Sequence, residues 1–323
     1  MYGFVLALAV AIVATVLGNR VPIVGAPVFA IVLGALVAAV RPPGERLRPG
    51  IAFAGRQLLQ WSIVLLGAHL SLAEIVLGGA RSLPVMLGSL VIVLTLAYVV
   101  GRVLGLDRDL RRLLGVGTAI CGGSAIAAVA SVIEADQADV AYALGAVFLF
   151  NVVAVLVFPA LGHVMHLSQH AFGLWAGTAI NDTSSVVAAS FAYGRAAGNA
   201  AVIVKLTRTT LIVPIVVFYG WRRLQWARGG ERGIDWRAIV PWFILWFLLA
   251  AALNSFGLIP AALQSPLQEL ALFAIAVALA GVGLGTDFEK IRDAGFRPLA
   301  LGAILWIAIA CSSLAIARAA HLG

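Results

Sequence analysis

Residues 169–192 read QHAFGLWAGTAINDTSSVVAASFA, an apolar stretch with a polar run at its centre. The stretch is long enough to cross a bilayer, which takes about 20 helical residues. Its central run, Gly177 to Ser185, holds a carboxylate at Asp182 among glycine, amide and hydroxyl groups. Such residues weaken a helix, and backbone freed inside a membrane is tolerated only where it lines a cavity. We therefore predict a broken helix at a binding site.

The beginning of this polar run has a second copy earlier in the chain. Gly117-Thr118-Ala119-Ile120 recurs as Gly177-Thr178-Ala179-Ile180, and at the same offset Ser124 matches Ser184. One motif alone is equally explained by small residues that let helices pack closely. Two copies favour a pair of broken helices, one in residues 113–133 and one in the stretch quoted above, that meet in mid-membrane.

The composition excludes a soluble protein. Of 323 residues, 62% are hydrophobic and 11% are charged, and the mean hydropathy is +1.05, whereas soluble domains carry about 25% charged residues. A membrane β-barrel would show alternating polarity in short segments, but here long apolar runs follow one another. We expect an all-α fold, a polytopic transmembrane helical bundle that forms one integral membrane domain over residues 1–323.

Hydropathy predicts ten to eleven spans joined by short links. The eleven candidates cover residues 1–18, 21–40, 51–73, 83–105, 111–133, 138–161, 169–192, 198–220, 237–257, 267–286 and 298–318.

Lys and Arg residues set the expected orientation, because short cytoplasmic links are enriched in them. The links after the odd-numbered spans hold Arg20, Arg81 and Arg195, and Arg318 lies near the carboxyl terminus. The links after the even-numbered spans hold fifteen: Arg41, Arg46, Arg48, Arg102, Arg108, Arg111, Arg112, Arg222, Arg223, Arg228, Arg232, Arg237, Lys290, Arg292 and Arg297. This predicts a protein of the cell inner (plasma) membrane with its amino terminus in the cytoplasm. Since these arginines serve orientation, the net charge of +8 does not indicate nucleic acid binding.

The repeated motif conflicts with this span count. Transporter repeats that form a site are commonly inverted, and a weaker echo between residues 66–72 and 284–288 does run in opposite directions. The fifth and seventh spans, which hold the stronger echo, come out parallel. Two explanations stay open: a re-entrant segment near the link with His163, His166 and His170, or convergent chemistry.

Asp182 is the most informative side chain. A carboxylate deep in a span costs at least about 2.5 kcal/mol, so it is normally paired, protonated or functional. Lys205 and Arg208 in the next span are its expected partners and face one side of a helix, and a purely structural ion pair is the alternative. His69 and Asn151 are interpreted as satisfied core residues. With Asp182 as the ion-coupling group, the predicted substrate-binding residues are Thr118, Cys121, Gly122, Gly123, Ser124, Asn181, Thr183, Ser184, Ser185, Lys205 and Arg208.

The chain resembles the YeiH-type family of sulfate exporters. The resemblance covers nearly the whole chain and rests on both motif stretches, on Lys205-Leu206-Thr207-Arg208 followed by Pro214, and on residues 241–243, 254–256 and 283–286. That family commonly has His where this chain has Asn181. The resemblance implies membership of the superfamily of cation/proton antiporters and bile-acid symporters, with crossing broken helices and with core and panel subdomains.

These observations predict a secondary transporter that exports a small anion by alternating access. A sulfate-like oxyanion, an organosulfonate or a carboxylate would suit the cationic pair, and Asp182 would couple protons or sodium to transport. The alternative is a cation/proton antiporter with Asp182 as the ion ligand. No ATP-binding loop, metal-ligand spacing or catalytic constellation stands out, so we expect no enzyme, cofactor or metal. A homodimer stays open.

The charge asymmetry generates a topology prediction. A cysteine introduced at Gly229, in the link between Trp221 and Trp236, should resist an impermeant maleimide in intact cells and react after permeabilisation. Labelling in intact cells would contradict a cytoplasmic amino terminus.

Overall fold

The computed structural model describes residues 2–20, 25–226, 242–286 and 296–322. Regular structure in these ranges is helical, which agrees with the all-α expectation. Six helical stretches, one of them Arg195–Arg222, are long and apolar enough to cross a membrane. In chain order the described helices are α1 (Tyr2–Arg20), α2 (Gly25–Val40), α3 (Arg48–Ala52), a π-helical turn (Phe53–Leu58), α4 (Leu59–Gly67), α5 (Leu72–Val103), α6 (Arg108–Ala119), α7 (Gly123–Ile133), α8 (Gln137–Val164), α9 (Gln169–Ala179), α10 (Thr183–Tyr193), α11 (Arg195–Thr209), α12 (Ile212–Trp226), α13 (Trp242–Ser255), α14 (Ala261–Leu284) and α15 (Phe296–Ala319).

The described helices pack in two groups. Helices α1 to α4, α13 and α14 share one apolar core, which we call the scaffold group. Glycines bring these helices close; a Cβ at Gly34 would lie 2.5 Å from the carbonyl oxygen of Ala280. Helices α5 to α12 and α15 pack around two further clusters and form the hairpin group. Buried residues of α10 and α11, such as Val187 and Ile203, join the core of the scaffold group and connect the two.

Helices α9 and α10 form a hairpin. The ring of Tyr193, the last residue of α10, stacks on Phe172 in the first turn of α9 with centroids 3.9 Å apart. Its hydroxyl donates a hydrogen bond to the carbonyl of Leu167, just before α9, at 2.5 Å. The carboxyl end of α10 therefore lies beside the amino end of α9, and the chain leaves this stretch on the side where it entered.

Helix α11 starts from that same side and runs alongside α9. The side-chain oxygen of Gln169, at the start of α9, accepts from the backbone N–H of Ala196 at 3.0 Å. Further along, a Cβ at Gly173 would lie 2.7 Å from the Ala197 carbonyl oxygen, and one at Gly177 2.9 Å from that of Ala201. Only glycine permits this approach, which places the far end of α11 at the tip of the hairpin.

Helices α6 and α7 form a second hairpin. Asp139, in the first turn of α8, is close enough to Asp107 and Asp109, at the start of α6, for their charges to interact. Near the tip, a Cβ at Gly117 would lie 2.7 Å from the Ile126 side chain of the opposite arm. Helix α7 thus returns the chain to the side from which α6 started.

Helix α8 links the hairpins and explains the repeat. Its 28 residues span about 42 Å at 1.5 Å per residue, so the two hairpins enter the bundle from opposite ends. Each hairpin is followed by a long helix, α8 in one case and α11 with α12 in the other. The Gly-Thr-Ala-Ile echo therefore belongs to an inverted repeat, and the segment around His163, His166 and His170 leads into the second hairpin.

Two expectations are corrected by this arrangement. Residues 111–133 and 169–192 do not cross the bundle as single spans, because their arms double back. The link with Glu134, Asp136 and Asp139 consequently lies on the side of Arg108, whereas full crossings would place it on the outer side. Because both of these stretches stop crossing, the number of crossings falls by two, and the sides expected for the chain ends are unchanged. The Gly229 test site and the Asp287 end of the weaker echo lie outside the described residues.

Two cysteine variants separate hairpins from full crossings. Ala138 and His170 are exposed and lie at opposite ends of α8 and its following link. In a background with Cys121→Ala and Cys311→Ser, an impermeant maleimide should label His170→Cys in intact cells and spare Ala138→Cys until the membrane is opened. Two full crossings would give the opposite pattern, so the reversed result would overturn the hairpin arrangement.

Candidate functional site

The tips of the two hairpins meet. Gly122, in the break between α6 and α7, has a φ of +70°, a conformation that strongly favours glycine. A Cβ there would lie 3.7 Å from the backbone of Asn181 and Asp182, in the break between α9 and α10. The predicted interruption of both helices is thus confirmed, with one correction, since Gly123 is already the first residue of α7.

Lys205 of α11 ties the tips together. Its Nζ donates to the carbonyl oxygens of Ile120 at 2.9 Å and Ile180 at 3.0 Å, and also to that of Asn181. The side chain is fully buried. One ammonium group therefore satisfies free carbonyls at the carboxyl ends of both α6 and α9.

Arg208, one turn further along α11, donates to the carbonyls that precede these in α6 and α9. Its Nε donates to the Ala119 carbonyl at 2.7 Å, Nη2 to Thr118 at 3.0 Å, and Nη1 to Thr178. This guanidinium is also fully buried. The last four carbonyls of a helix lack intrahelical partners, so the repeated Gly-Thr-Ala-Ile motif is, in both copies, the terminal turn that these cations cap.

The cations do not pair with Asp182 as the sequence suggested. Every hydrogen bond described for Lys205 and Arg208 goes to a backbone carbonyl. A cation at the carboxyl end of a helix is favourable because the helix dipole places partial negative charge there. Two buried positive charges are thus held by dipoles rather than by a carboxylate.

Asp182 caps the amino end of α10. Its Oδ2 accepts from the backbone N–H of Ser184 at 2.8 Å and of Ser185 at 3.4 Å, and from the Ser184 hydroxyl. Asp182 and the neighbouring Thr183 are half-buried, while Ser184 and Ser185 are buried. A carboxylate at a helix amino end is stabilised by the free N–H groups.

The amino end of α7 has no such cap. Its N-cap residue is Gly122, which contributes no side chain, at the position equivalent to Asp182 in the repeat. Gly123 is half-buried and Ser124 is exposed, whereas its counterpart Ser184 is buried. An uncapped helix amino end favours an anion. Cys121, which precedes this N-cap residue, is buried.

Asn151 of α8 belongs to the site, although the sequence placed it in the core. Its Oδ1 accepts from the Asp182 backbone N–H at 3.1 Å, and the side chain is 3% exposed. Within the described part of the chain, its Nδ2 and the Oδ1 of Asn181 are buried without a hydrogen-bond partner. A lone asparagine in an apolar span carries no sequence signal that distinguishes a core residue from a residue of the site. Thr118 contributes its carbonyl rather than its hydroxyl.

Comparisons with known proteins place the chain in a family. Residues 2–302 match the family model described as Conserved hypothetical protein 698. The chain is 41% identical to a UPF0324 membrane protein of Streptococcus pneumoniae serotype 4, 41% to one of Streptococcus mutans serotype c and 36% to one of Clostridium tetani. Each match covers 97% of this chain and 95% of the relative. Given this identity over nearly the full length, the chain belongs to the UPF0324 family of membrane proteins.

Proposed function

We propose that the protein is a secondary active transporter that moves a small anion by alternating access, with the substrate bound where the hairpin tips meet. Inverted repeats with interrupted helices and charged residues between them are the architecture of many secondary transporters. Ionisable groups buried in a membrane protein are costly and usually mark an ion or substrate path. The meeting point of Gly122, Asp182 and Lys205 combines these features.

One observation favours an anion over a cation. In transporters with interrupted helices, unwound carbonyls and helix carboxyl ends are the groups that coordinate Na⁺. Here Lys205 and Arg208 occupy those carbonyls on both hairpins. The cation position is filled by the protein's own side chains, which leaves the uncapped amino end of α7 for the substrate.

The charges of the site point the same way. Lys205 and Arg208 are positive and Asp182 is negative. Two helix carboxyl ends and two helix amino ends contribute about half a unit charge each, and these four contributions cancel. About one positive charge remains in a poorly solvated site, where an uncompensated charge is expensive. A bound anion would neutralise it.

Asp182 is the proposed coupling group. Protonation removes its negative charge and raises the positive potential at the tips, so a proton and an anion should bind with positive coupling. The energy would then come from a proton gradient, with sodium as the other candidate. The resemblance to sulfate exporters makes sulfate, organosulfonates and carboxylates the first substrates to test, with export from the cytoplasm as the direction.

The half-buried carboxylate of Asp182 on unwound backbone also supports a second candidate. A cation/proton antiporter would bind its ion at Asp182 and would respond to sodium instead of to an anion. Melting temperatures of the purified protein separate the two, because a ligand that binds only the native state stabilises it. An increase with sulfate or acetate supports the anion transporter, and an increase with sodium alone supports the antiporter.

Asp182→Asn should mimic the protonated state. The amide keeps a cap on α10 but carries no charge, so the anion-dependent increase in melting temperature should persist or grow, and proteoliposome transport should lose its pH dependence. Asp139→Asn, in the first turn of α8 and outside the site, is the control and should retain that dependence. If Asp182→Asn abolished anion binding while Lys205 and Arg208 variants retained it, the anion site would lie elsewhere.

Lys205→Met should destabilise the protein and weaken anion binding. It leaves the carbonyls of Ile120, Ile180 and Asn181 without their donor, and each buried polar group left unpaired costs roughly 1–3 kcal/mol. Arg195→Met, at the exposed start of the same helix, should have little effect. Chemical denaturation in detergent measures the difference in unfolding free energy. Equal stability of the two variants would contradict the capping role.

A further inference from the structure

We propose that Asn151 is a direct ligand of the transported anion, to which its Nδ2 donates a hydrogen bond. This inference rests on the proposed function and adds a recognition residue from α8, a helix that belongs to neither hairpin. The observations that carry it are the fixed orientation of the amide, its burial, and its place between the two tips.

The orientation of the Asn151 amide is set by its neighbour. Its Oδ1 accepts from the Asp182 backbone N–H at 3.1 Å. Turning the amide over would place its NH₂ group against that N–H donor, which forms no hydrogen bond. The remaining polar atom, Nδ2, is therefore a donor directed away from the Asp182 backbone.

That donor is buried and unused. Asn151 is 3% exposed, and among the described residues nothing accepts from its Nδ2. A buried donor without an acceptor costs roughly 1–3 kcal/mol. An acceptor supplied by a ligand would remove that cost each time the site is occupied.

Asn151 also lies next to the uncapped end of α7. Val147, one helical turn earlier on α8, would be 3.3 Å from a Cβ at Gly122, and the same Cβ would be 3.7 Å from the Asp182 Cα. Asn151 thus borders both tips. An anion with at least two acceptor atoms can accept a hydrogen bond from the Asn151 amide at one atom. At another atom it can accept from the open N–H groups at the start of α7.

The repeat allows only one such seat. The residue at the position of Asn151 in the second half is Leu211, and the helix that corresponds to α7 is already capped by Asp182. A free donor beside an open helix end therefore occurs in one half of the repeat. We infer a single anion per protein, held between α7 and α8.

Three variants test the proposal. Asn151→Asp keeps an oxygen acceptor for the Asp182 N–H but loses the donor, and Asn151→Leu loses both. Asn254→Leu is the matched control, because Asn254 donates its amide to the Leu70 carbonyl in the scaffold group, away from the tips. Affinity for sulfate and acetate is measured by calorimetry, with melting temperatures recorded in parallel.

Both Asn151 variants should bind these anions about 10- to 100-fold more weakly, the range for one hydrogen bond to a charged group. The control should bind like wild type. Relative to Asn151→Leu, N151D should regain affinity at low pH, where its protonated carboxyl offers a donor. A purely structural role would not produce that recovery.

Ser124, exposed in the first turn of α7, provides an independent readout at the same place. In a background with Cys121→Ala and Cys311→Ser, sulfate should slow alkylation of Ser124→Cys where Asn151 is intact and should not do so in N151D. Wild-type affinity and protection in N151D would overturn the role of Asn151 and leave the transporter proposal standing. The absence of any anion effect on the protein with an intact Asn151 would overturn both.

Discussion

The capping of two helix ends by one neighbouring helix is the interaction on which the central architecture depends. Lys205 and Arg208 bring their donors to the carboxyl ends of α6 and α9. Without them, two sets of backbone carbonyls would be buried unpaired, at roughly 1–3 kcal/mol for each group. The same bonds hold the two hairpin tips against each other, so the position of the candidate site follows from how this backbone is satisfied.

Close packing makes that capping geometrically feasible. Gly173 and Gly177 allow α11 to lie against α9 with almost no side chain between them, and Gly117 admits Ile126 of the opposite arm in the first hairpin. Small residues in membrane helices are often explained by packing alone. Here packing and site formation have the same cause, because only a closely packed α11 can extend its two side chains across both tips.

The sequence predicted where the two helices are interrupted, but it did not predict that the arms of each interrupted helix double back. Glycine and hydroxyl residues in an apolar stretch reveal where a helix breaks, and the Gly117 and Gly177 copies located both breaks. Hydropathy does not distinguish one full crossing from two half-length arms that return, because both have the same composition and length. The contact of Tyr193 with Phe172 decides between them, and it depends on tertiary packing. Likewise, a sequence displays Asp182 as a partner for Lys205 but gives no sign of free backbone carbonyls, which is why the actual acceptors and the role of Asn151 were missed.

The order of the chain has a consequence for how the protein is made. The carbonyl of Ile120 accepts a hydrogen bond from Lys205, which lies 85 positions later in the chain. During synthesis the first hairpin therefore enters the bilayer region with its tip unpaired, and it gains its partners only after α8, the second hairpin and most of α11 have followed. The contact between the two hairpin tips therefore forms late, in one step in which α11 supplies the donors for both. A chain that ends before α11 lacks the side chains that hold either tip in place.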